Sequence, residues 1–334
     1  MKKVRISDVA RHAGVSNSTV SQYLNGRYEY MRIETKNRIA KSIEDLEYQP
    51  NALARSLRQK TTKTIGVIVA NILHTFSTQI IRSIEDHCQK MGYHIIVCNA
   101  DENPVKEEKY INMLYAKQVD GLITFPINKN IDLYKELQNK GFPIVFLDRI
   151  IPEANISSVL LDNEKAAKIA VEEFVSKSYK NIAIITTSFL DSVTPRIERI
   201  NGFKKAIKEN NLYLDKNYLK SVDAEEIQST FEEMMNLKHP PKAVLAGNDF
   251  VLIELLKYIK KNKIIIPKDI AVIGIDDVPF ADLYNPPITT IKQPTFKMGK
   301  IAAEMLLNKI KKNSDLNIEN IYRGKPEILR RFSC

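Results

Sequence analysis

The chain has 334 residues, which is more than one small core needs and enough for two or three compact units. Hydrophobic residues make up 44% of it, which excludes a largely disordered protein. No apolar stretch is long enough to cross a bilayer, and the basic start is not followed by the apolar run of a secretory signal. The three cysteines show no metal-ligand spacing, so we expect reduced thiols in a cytoplasmic protein.

The net charge of +10 is unevenly distributed along the chain. Residues 1–60 contain 12 Lys and Arg against 6 Asp and Glu, whereas the other 274 residues contain 38 against 34. A local basic excess is typical of a protein with a polyanionic partner such as DNA. A solvated basic surface has the same composition, so charge alone leaves both interpretations open.

The first predicted elements are three short helices, at residues 6–13, 17–25 and 34–46. Gly14 can adopt the positive φ of a tight turn after the first helix, and Ser16 is a good N-cap for the second. Within the second helix, Val20 and Leu24 face inward and leave a polar outer face. This order is typical of a helix-turn-helix that enters the DNA major groove, although an ordinary helical bundle has the same periodicity.

A short segment that begins at a proline and ends in a polar run follows the helical head. Pro50 interrupts the chain, Asn51 can cap a short helix, and the polar run at residues 59–64 is typical of a linker. Leu57 is apolar but flanked by Ser56 and Arg58. Routine packing of Leu57 against the rest of the chain is the ordinary interpretation.

The head and this segment contain ordered motifs, namely Asp8-Val9-Ala10, Ala13-Gly14-Val15-Ser16, Ser18-Thr19-Val20-Ser21, Leu24-Asn25-Gly26 and Tyr48-Gln49-Pro50-Asn51-Ala52-Leu53-Ala54-Arg55-Ser56-Leu57. Together they resemble the head and hinge of the LacI/GalR family of bacterial transcription regulators. The motifs are long and in the same order, and the resemblance continues along the whole chain.

The resemblance implies DNA contacts for individual residues. Base edges would be read by Asn17, Ser18 and Gln22, while hinge helices from two subunits would pair in the minor groove. There Leu57 would wedge between base steps and kink the duplex. The implied DNA-binding residues are Ser16, Asn17, Ser18, Thr19, Ser21, Gln22, Asn25, Asn51, Ala54, Arg55 and Leu57.

Two positions in the head depart from the family pattern. Gln22 stands where the family commonly has Arg, so we expect the operator to carry adenine rather than guanine at that position. Met31-Arg32 replaces the usual Val-Ser at the start of the third helix, so the serine cap is missing. We expect either a less stable head or an additional phosphate contact from Arg32.

The rest of the chain alternates short β-branched runs with helical patterns, which predicts parallel strands in two doubly wound lobes. The predicted strands are residues 65–69, 94–98, 121–125, 144–148, 182–186, 243–246 and 271–275. Helices are predicted near residues 163–177, 196–210, 225–236 and 249–262. The predicted domains are a head at 1–49, a hinge and linker at 50–61, one lobe at 62–160 plus 292–320, and the other at 161–291 plus 321–334.

In open parallel sheets, ligands bind beyond the carboxyl ends of the strands. An aromatic ring with Asp, Asn, Arg and Gln at those ends is chemistry suited to a sugar, although each residue alone is as easily a helix cap or a loop ion pair. The motifs Arg199-Ile200-Asn201-Gly202-Phe203, Asn248-Asp249, Gly274-Ile275-Asp276-Asp277 and the segment 286–294 resemble the family's periplasmic-binding-protein-like sensor domain.

By that resemblance, one cleft holds the effector. The implied lining residues are Phe76, Asp148, Arg149, Arg199, Asn248, Asp276 and Gln293, to which charge adds Arg196. The family commonly has Asn-Pro-Phe-Phe where this chain has His74-Thr75-Phe76-Ser77, so one aromatic ring is missing. Three arginines favour an anionic effector such as 2-keto-3-deoxygluconate, although Arg is also common in clefts for neutral sugars.

The sequence therefore predicts a repressor that binds a double-stranded DNA operator and a small sugar or sugar acid, as a homodimer without cofactor, metal or membrane contact. The sequence shows no heptad repeat after the last predicted elements, so we do not expect a coiled coil that would form a tetramer. A sugar-binding or transport protein without a DNA role is the alternative, which the head argues against. An enzyme is disfavoured because no nucleophile constellation, metal set or phosphate loop is present in the sequence.

Overall fold

A computed structural model describes residues 4–49, 61–188, 193–312 and 320–334. The chain divides into two compact units, Met1–Thr62 and Lys63–Cys334. Within the described ranges, every helix is too short or too polar to cross a membrane.

The described part of the first unit contains three helices around a small core. The helices are α1 Ile6–Ala13, α2 Asn17–Leu24 and α3 Ile33–Asp45, which confirms the three predictions with ends that differ by at most one residue. Gly14 ends α1 with a φ of 63°, and the Ser16 hydroxyl accepts a hydrogen bond from the Thr19 backbone N–H at 3.1 Å at the start of α2. The fully buried core side chains include Val9, Val20 and Ile39.

The second unit contains two sheets with helices on their faces. Its strands are β1 Thr64–Val69, β2 His94–Asn99, β3 Gly121–Thr124, β4 Ile144–Leu147, β5 Ser158–Leu161, β6 Ile182–Thr187, β7 Leu219–Val222, β8 Ala243–Ala246, β9 Ala271–Ile275, β10 Thr289–Lys292, β11 Ile321–Gly324 and β12 Glu327–Leu329. Its helices are α4 Thr75–Lys90, α5 Pro104–Ala116, α6 Ile131–Asn139, α7 Asn163–Ser176, α8 Thr194–Glu209, α9 Ile227–Met235, α10 Asp249–Lys261 and α11 Thr295–Lys311.

Each lobe is built on a six-stranded sheet. The first has the order β11-β5-β4-β3-β1-β2 and is parallel throughout, and the second has the order β12-β10-β9-β8-β6-β7 with only β12 antiparallel. The central strands are buried on both faces because helices cover both sides, which explains their continuous apolar sequences. The seven predicted strands and the two-lobed α/β fold are confirmed.

The chain crosses between the lobes after β5, after β10 and after β11, so each lobe is assembled from separate stretches of sequence. The sequence predicts that residues 321–334 belong to the second lobe, but β11 pairs with β5 in the first sheet, with Ile321 opposite Ser158. Only β12 joins the second sheet, where Ile328 is opposite Ile291. The last crossing therefore lies between β11 and β12, because hydrogen bonding to β5 completes the edge of the first sheet.

Candidate functional site

The outer side of α2 presents the side chains predicted to read DNA bases. Asn17, Ser18 and Gln22 are exposed, while Val20 on the opposite side of the same helix is fully buried. The packing of α2 on α1 and α3 thus fixes a polar face of short hydrogen-bonding groups. Amide and hydroxyl groups of this kind can pair with base edges in a major groove.

The other predicted DNA contacts in the head also make local hydrogen bonds. Asn25 donates from its side-chain amide to the Ser21 carbonyl at 2.6 Å, which secures the end of α2. Ser16 and Thr19 share a hydroxyl–hydroxyl hydrogen bond of 2.9 Å at its start. These residues therefore hold the ends of the helix. The predicted hinge contacts Asn51, Ala54, Arg55 and Leu57 lie outside the described residues.

The second candidate site is a cleft between the two lobes of the larger unit, at the carboxyl ends of its strands. All eight residues predicted for the effector line this one cavity, which has a volume of about 470 Å³ that is partly open to solvent. They are Phe76, Asp148, Arg149, Arg196, Arg199, Asn248, Asp276 and Gln293. The topology brings them together because strand ends of both sheets face the same gap.

Two aspartates occupy matching positions in the two sheets, directly after β4 and β9. Asp148 has a φ of 66° and Asp276 a φ of 86°, a left-handed region that costs a non-glycine residue free energy. Burial raises the pKa of the Asp148 carboxyl. Burial and the neighbouring Asp249 charge raise the pKa of Asp276 to about 6. Backbone strain and shifted pKa values of this kind are concentrated at functional sites.

A carboxylate that the sequence analysis missed joins two of the predicted arginines. Glu102 accepts two hydrogen bonds from Arg149, at 2.8 and 2.6 Å, and one from Arg196 at 2.9 Å. Burial raises the pKa of Glu102, but the two guanidinium groups outweigh burial and bring it down to about 2. Glu102 follows the end of β2, so the same strand-end rule that identified Asp148 also applies to it.

The third arginine is bound to the second lobe's own framework. Arg199 donates to Asn163 at 2.8 Å and to the Gly247 carbonyl at 2.5 Å. Asn248 beside it donates to Thr187 at 3.2 Å and caps α10 through Val251. These hydrogen bonds hold the side chains in fixed orientations at the floor of the cleft.

A further contact joins the lobes at the start of α4. His74 lies 2.5 Å from Asp249 through its Nδ1 atom, and the Thr75 backbone N–H donates to the same carboxylate at 2.8 Å. The His74 ring also packs on Phe250, with 4.1 Å between the ring centroids. This contact, too, was missed in the sequence, because its partners are far apart in the chain.

The aromatic wall of the cleft consists of two rings from the first lobe. Phe76 packs against Phe125, with 5.9 Å between the ring centroids, and both line the cavity. The sequence predicts Phe76 alone, because the motif at residues 74–77 lacks a second ring. Phe125 directly follows β3 and adds a second ring to this wall.

Two buried polar atoms in the cleft make no hydrogen bond within the protein. Across the described ranges, the buried side-chain atoms without a hydrogen bond are Arg149 Nε, Gln293 Oε1 and Thr186 Oγ1, and the first two belong to cavity-lining residues. A donor and an acceptor left unpaired in the interior are costly unless a ligand or water completes them. A hydroxyl group can accept a hydrogen bond from such a donor and donate one to such an acceptor. The two atoms therefore suit a ligand with hydroxyl groups.

The fold and the site define a class of protein, a helix-turn-helix unit joined to a two-lobed ligand-binding unit. Residues 5–51 match the model of bacterial regulatory proteins of the lacI family, and residues 171–334 match the periplasmic binding protein-like domain. The chain is 44% identical over 331 residues to the probable HTH-type transcriptional regulator EndR of Paenibacillus polymyxa, covering 98% of this chain and 97% of that protein.

Two further comparisons agree. The HTH-type transcriptional regulator KdgR of Bacillus subtilis (strain 168) is 34% identical over 315 residues, covering 91% of each chain. A crystal structure of the lac repressor bound to ONPG in the repressed state matches with a TM-score of 0.87 and 25% identity over 100% of both chains. The chain belongs to the lacI family of bacterial regulatory proteins and is a DNA-binding transcriptional regulator, as its relatives are, rather than an enzyme.

Proposed function

We propose that the chain is a homodimeric repressor, acting in the cytoplasm, whose operator affinity is switched by a small carbohydrate bound between its lobes. The observation that carries the proposal is the cleft itself. Eight predicted residues from both lobes line one cavity that contains an unpaired buried donor and an unpaired buried acceptor. Such a cavity suits a ligand with several hydroxyl groups and a face for the Phe76 ring.

The DNA-binding part of the proposal rests on the exposed face of α2. Asn17, Ser18 and Gln22 would read base edges, with two heads on a pseudo-palindromic operator. In the hinge, Leu57 would wedge between base steps in the minor groove, Asn51 and Arg55 would hold the neighbouring DNA backbone, and Ala54 would also contact DNA. The basic excess in residues 1–60 supports this role, because phosphate neutralisation supplies much of the affinity for DNA.

The charge of the cleft favours a neutral sugar over the sugar acid that the sequence suggested. Arg149 and Arg196 are both hydrogen-bonded to Glu102, so an acidic effector would compete with a carboxylate already in place. Arg199 donates to protein oxygens, and Asp148 and Asp276 add negative charge to the same cavity. The three arginines are therefore offset by three carboxylates, and 2-keto-3-deoxygluconate becomes the competing candidate.

Effector binding would act through the contacts that join the lobes. His74, which lines the cleft, and Thr75 of the first lobe bind Asp249 of the second. A ligand that bridges the lobes would favour one arrangement of them and so bias the state in which the chain binds DNA. Coupling between two such sites is typically about 1–3 kcal/mol.

Calorimetry tests the effector site directly. The full-length chain is titrated with a panel of neutral sugars and sugar acids, and the compound that binds is then titrated into Gln293→Ala. We expect at least roughly tenfold weaker binding, because Gln293 lines the cleft and its buried Oε1 makes no hydrogen bond within the protein.

Gln228→Ala is the matched control, since Gln228 lies on α9 and contacts Glu254 outside the cleft. Its affinity for the same compound should equal that of the wild type. Equal loss in both variants, or binding unaffected by Gln293→Ala, would contradict the proposed site. A sugar acid as the only compound bound would overturn the preference for a neutral sugar.

A further inference from the structure

The turn after β2 places a carboxylate between arginines of the two lobes. Glu102 lies in this turn with a φ of 56°, and the preceding Asp101 has a φ of 52°. The Glu102 carboxylate accepts hydrogen bonds from Arg149 in the first lobe and from Arg196 on α8 in the second. It therefore bridges the cleft as well as neutralising its arginines.

The geometry at Glu102 is that of a bound anion. Both of its oxygens are paired with the Arg149 guanidinium, the two-point arrangement that arginine makes with carboxylates and phosphates. Arg196 adds a third hydrogen bond to Oε1 at 2.9 Å. The Arg149 side chain is only 8% exposed, so an anion from solvent has few other places at which to contact its guanidinium group.

We propose that Glu102 sets the charge selectivity of the cleft by occupying, from within the chain, the site that an anionic ligand would otherwise take. The inference rests on the proposed function only in treating the cleft as the effector site. An acidic ligand must displace a tethered carboxylate from two arginines, and until it does so the two negative charges repel each other. A neutral carbohydrate meets neither obstacle and can use the remaining hydrogen-bonding groups.

The electrostatics of the cluster keep this exclusion in place. The two arginines hold the pKa of Glu102 at about 2 against the effect of burial, so its charge is retained throughout the physiological range. Among the ion pairs of the described residues, the other acidic partner of Arg149 is Asp148, whose Oδ2 lies 3.7 Å from Arg149 Nε, and the charge of Glu107 also acts on Arg149. Removing the Glu102 charge would leave Arg149 this single longer contact and leave Arg196 without an acidic partner among the ion pairs of the described residues.

Inorganic phosphate is the probe that tests the inference, because its binding requires no knowledge of the natural effector. Calorimetric titration of Glu102→Gln should show phosphate affinity at least about tenfold higher than that of the wild type. The gain should shrink as ionic strength rises, since it is electrostatic. In Glu102→Gln combined with Arg196→Gln the gain should largely disappear.

Asp101→Asn is the matched control. Asp101 lies in the same turn and loses the same charge, but it pairs with Lys106 and Asn99 rather than with the arginines. Its phosphate affinity should equal that of the wild type. Glu102→Asp keeps the charge and should still exclude phosphate.

Two results would overturn the inference. One is a folded Glu102→Gln variant, judged by an unchanged thermal unfolding midpoint, that binds phosphate no better than Asp101→Asn. The other needs no variant, namely wild-type binding of phosphate in the cleft with a dissociation constant below about 1 mM. Because neither result involves a sugar, failure here is distinguishable from failure of the proposed carbohydrate effector.

Discussion

Gln22 lies exposed on α2, at the position that the family resemblance assigns to base reading. Glutamine pairs with the adenine edge, whereas arginine pairs with guanine. We expect Gln22→Arg to change one operator position from an A·T to a G·C pair, with a preference of about 1–3 kcal/mol. Selection of binding sites from a random DNA library, with wild type and variant in parallel, measures this change.

The control for that selection is Gln49→Arg, which adds the same charge at an exposed position near the end of the head. It should raise affinity for all sequences without changing the consensus, because a phosphate contact carries no base preference. An unchanged consensus in Gln22→Arg would remove Gln22 from the base-reading set.

Glu107 gives a pH-dependence that can be predicted with its sign. It is fully buried and accepts hydrogen bonds from the Ile127 backbone N–H, Asn130 and Tyr134. Burial raises its pKa from 4.5 to about 7, more than these hydrogen bonds lower it. The folded state therefore binds this proton more tightly than the unfolded state does.

The contribution of Glu107 to the free energy of unfolding is thus fully present below pH 4.5 and is lost as the pH rises to about 7. The slope within that window is at most about 1.4 kcal/mol per pH unit. Glu107→Gln should flatten it, which urea unfolding at several pH values between 4.5 and 7 would show. Glu108→Gln, at the exposed neighbouring position, should keep the wild-type slope.

At the scale of elements, α3 begins without a cap. Arg32 occupies the N-cap position and makes no side-chain hydrogen bond to the helix, as the replacement of the family's serine predicts. Its φ of −62° and ψ of 142° already suit a capping residue. We expect Arg32→Ser to raise the free energy of unfolding of the head by about 1 kcal/mol. The thermal unfolding transition of the first unit measures this change.

Arg27→Ser removes the same charge from an exposed position that is not a helix N-cap. It should leave the free energy of unfolding of the head unchanged. Equal stabilisation by both substitutions would attribute the effect to charge rather than to capping. A loss of DNA affinity in Arg32→Ser alone would indicate the phosphate contact that the sequence analysis proposed for Arg32.

The elements predicted from sequence are those with long, local signals. Strands such as β8 and β9 are continuous buried runs, and α1 and α2 carry a glycine turn and a serine cap. The strands β5, β7, β10, β11 and β12 were not predicted. The strands β7, β11 and β12 are only partly buried and therefore give no continuous apolar run, whereas β5 is as short and as buried as the predicted β8. In β11, exposed and buried positions give no continuous apolar run, and its pairing with β5 joins residues far apart in sequence.

The candidate cleft was predictable for a similar reason. Residues such as Asp148 and Asp276 directly follow strong strands, so the rule that ligands bind at strand ends identifies them. Glu102 also follows a strand end, but it was missed because its role depends on Arg149 and Arg196, which lie far along the chain. The contact of His74 with Asp249 was missed because its partners lie in opposite lobes. Ion pairs across a cleft depend on how the two sheets are placed, which no local sequence pattern encodes.

For the molecule as a whole, the proposed function is a linkage between two sites on one chain. If a carbohydrate in the cleft changes operator affinity by some factor, operator DNA must change carbohydrate affinity by the same factor. This reciprocity holds whether the carbohydrate releases the repressor or promotes its binding. It distinguishes a regulator from a protein that merely carries both a helix-turn-helix and a sugar site.

Operator binding with and without the cleft ligand therefore tests the central claim most directly. Fluorescence anisotropy on the selected operator, at two salt concentrations, should give a steep salt dependence and an affinity that the ligand changes by about 5- to 150-fold. In Gln293→Ala, binding in the absence of ligand should be retained, while the response at the same ligand concentration should be reduced. An operator affinity that stays the same when the cleft is saturated with ligand would contradict the account.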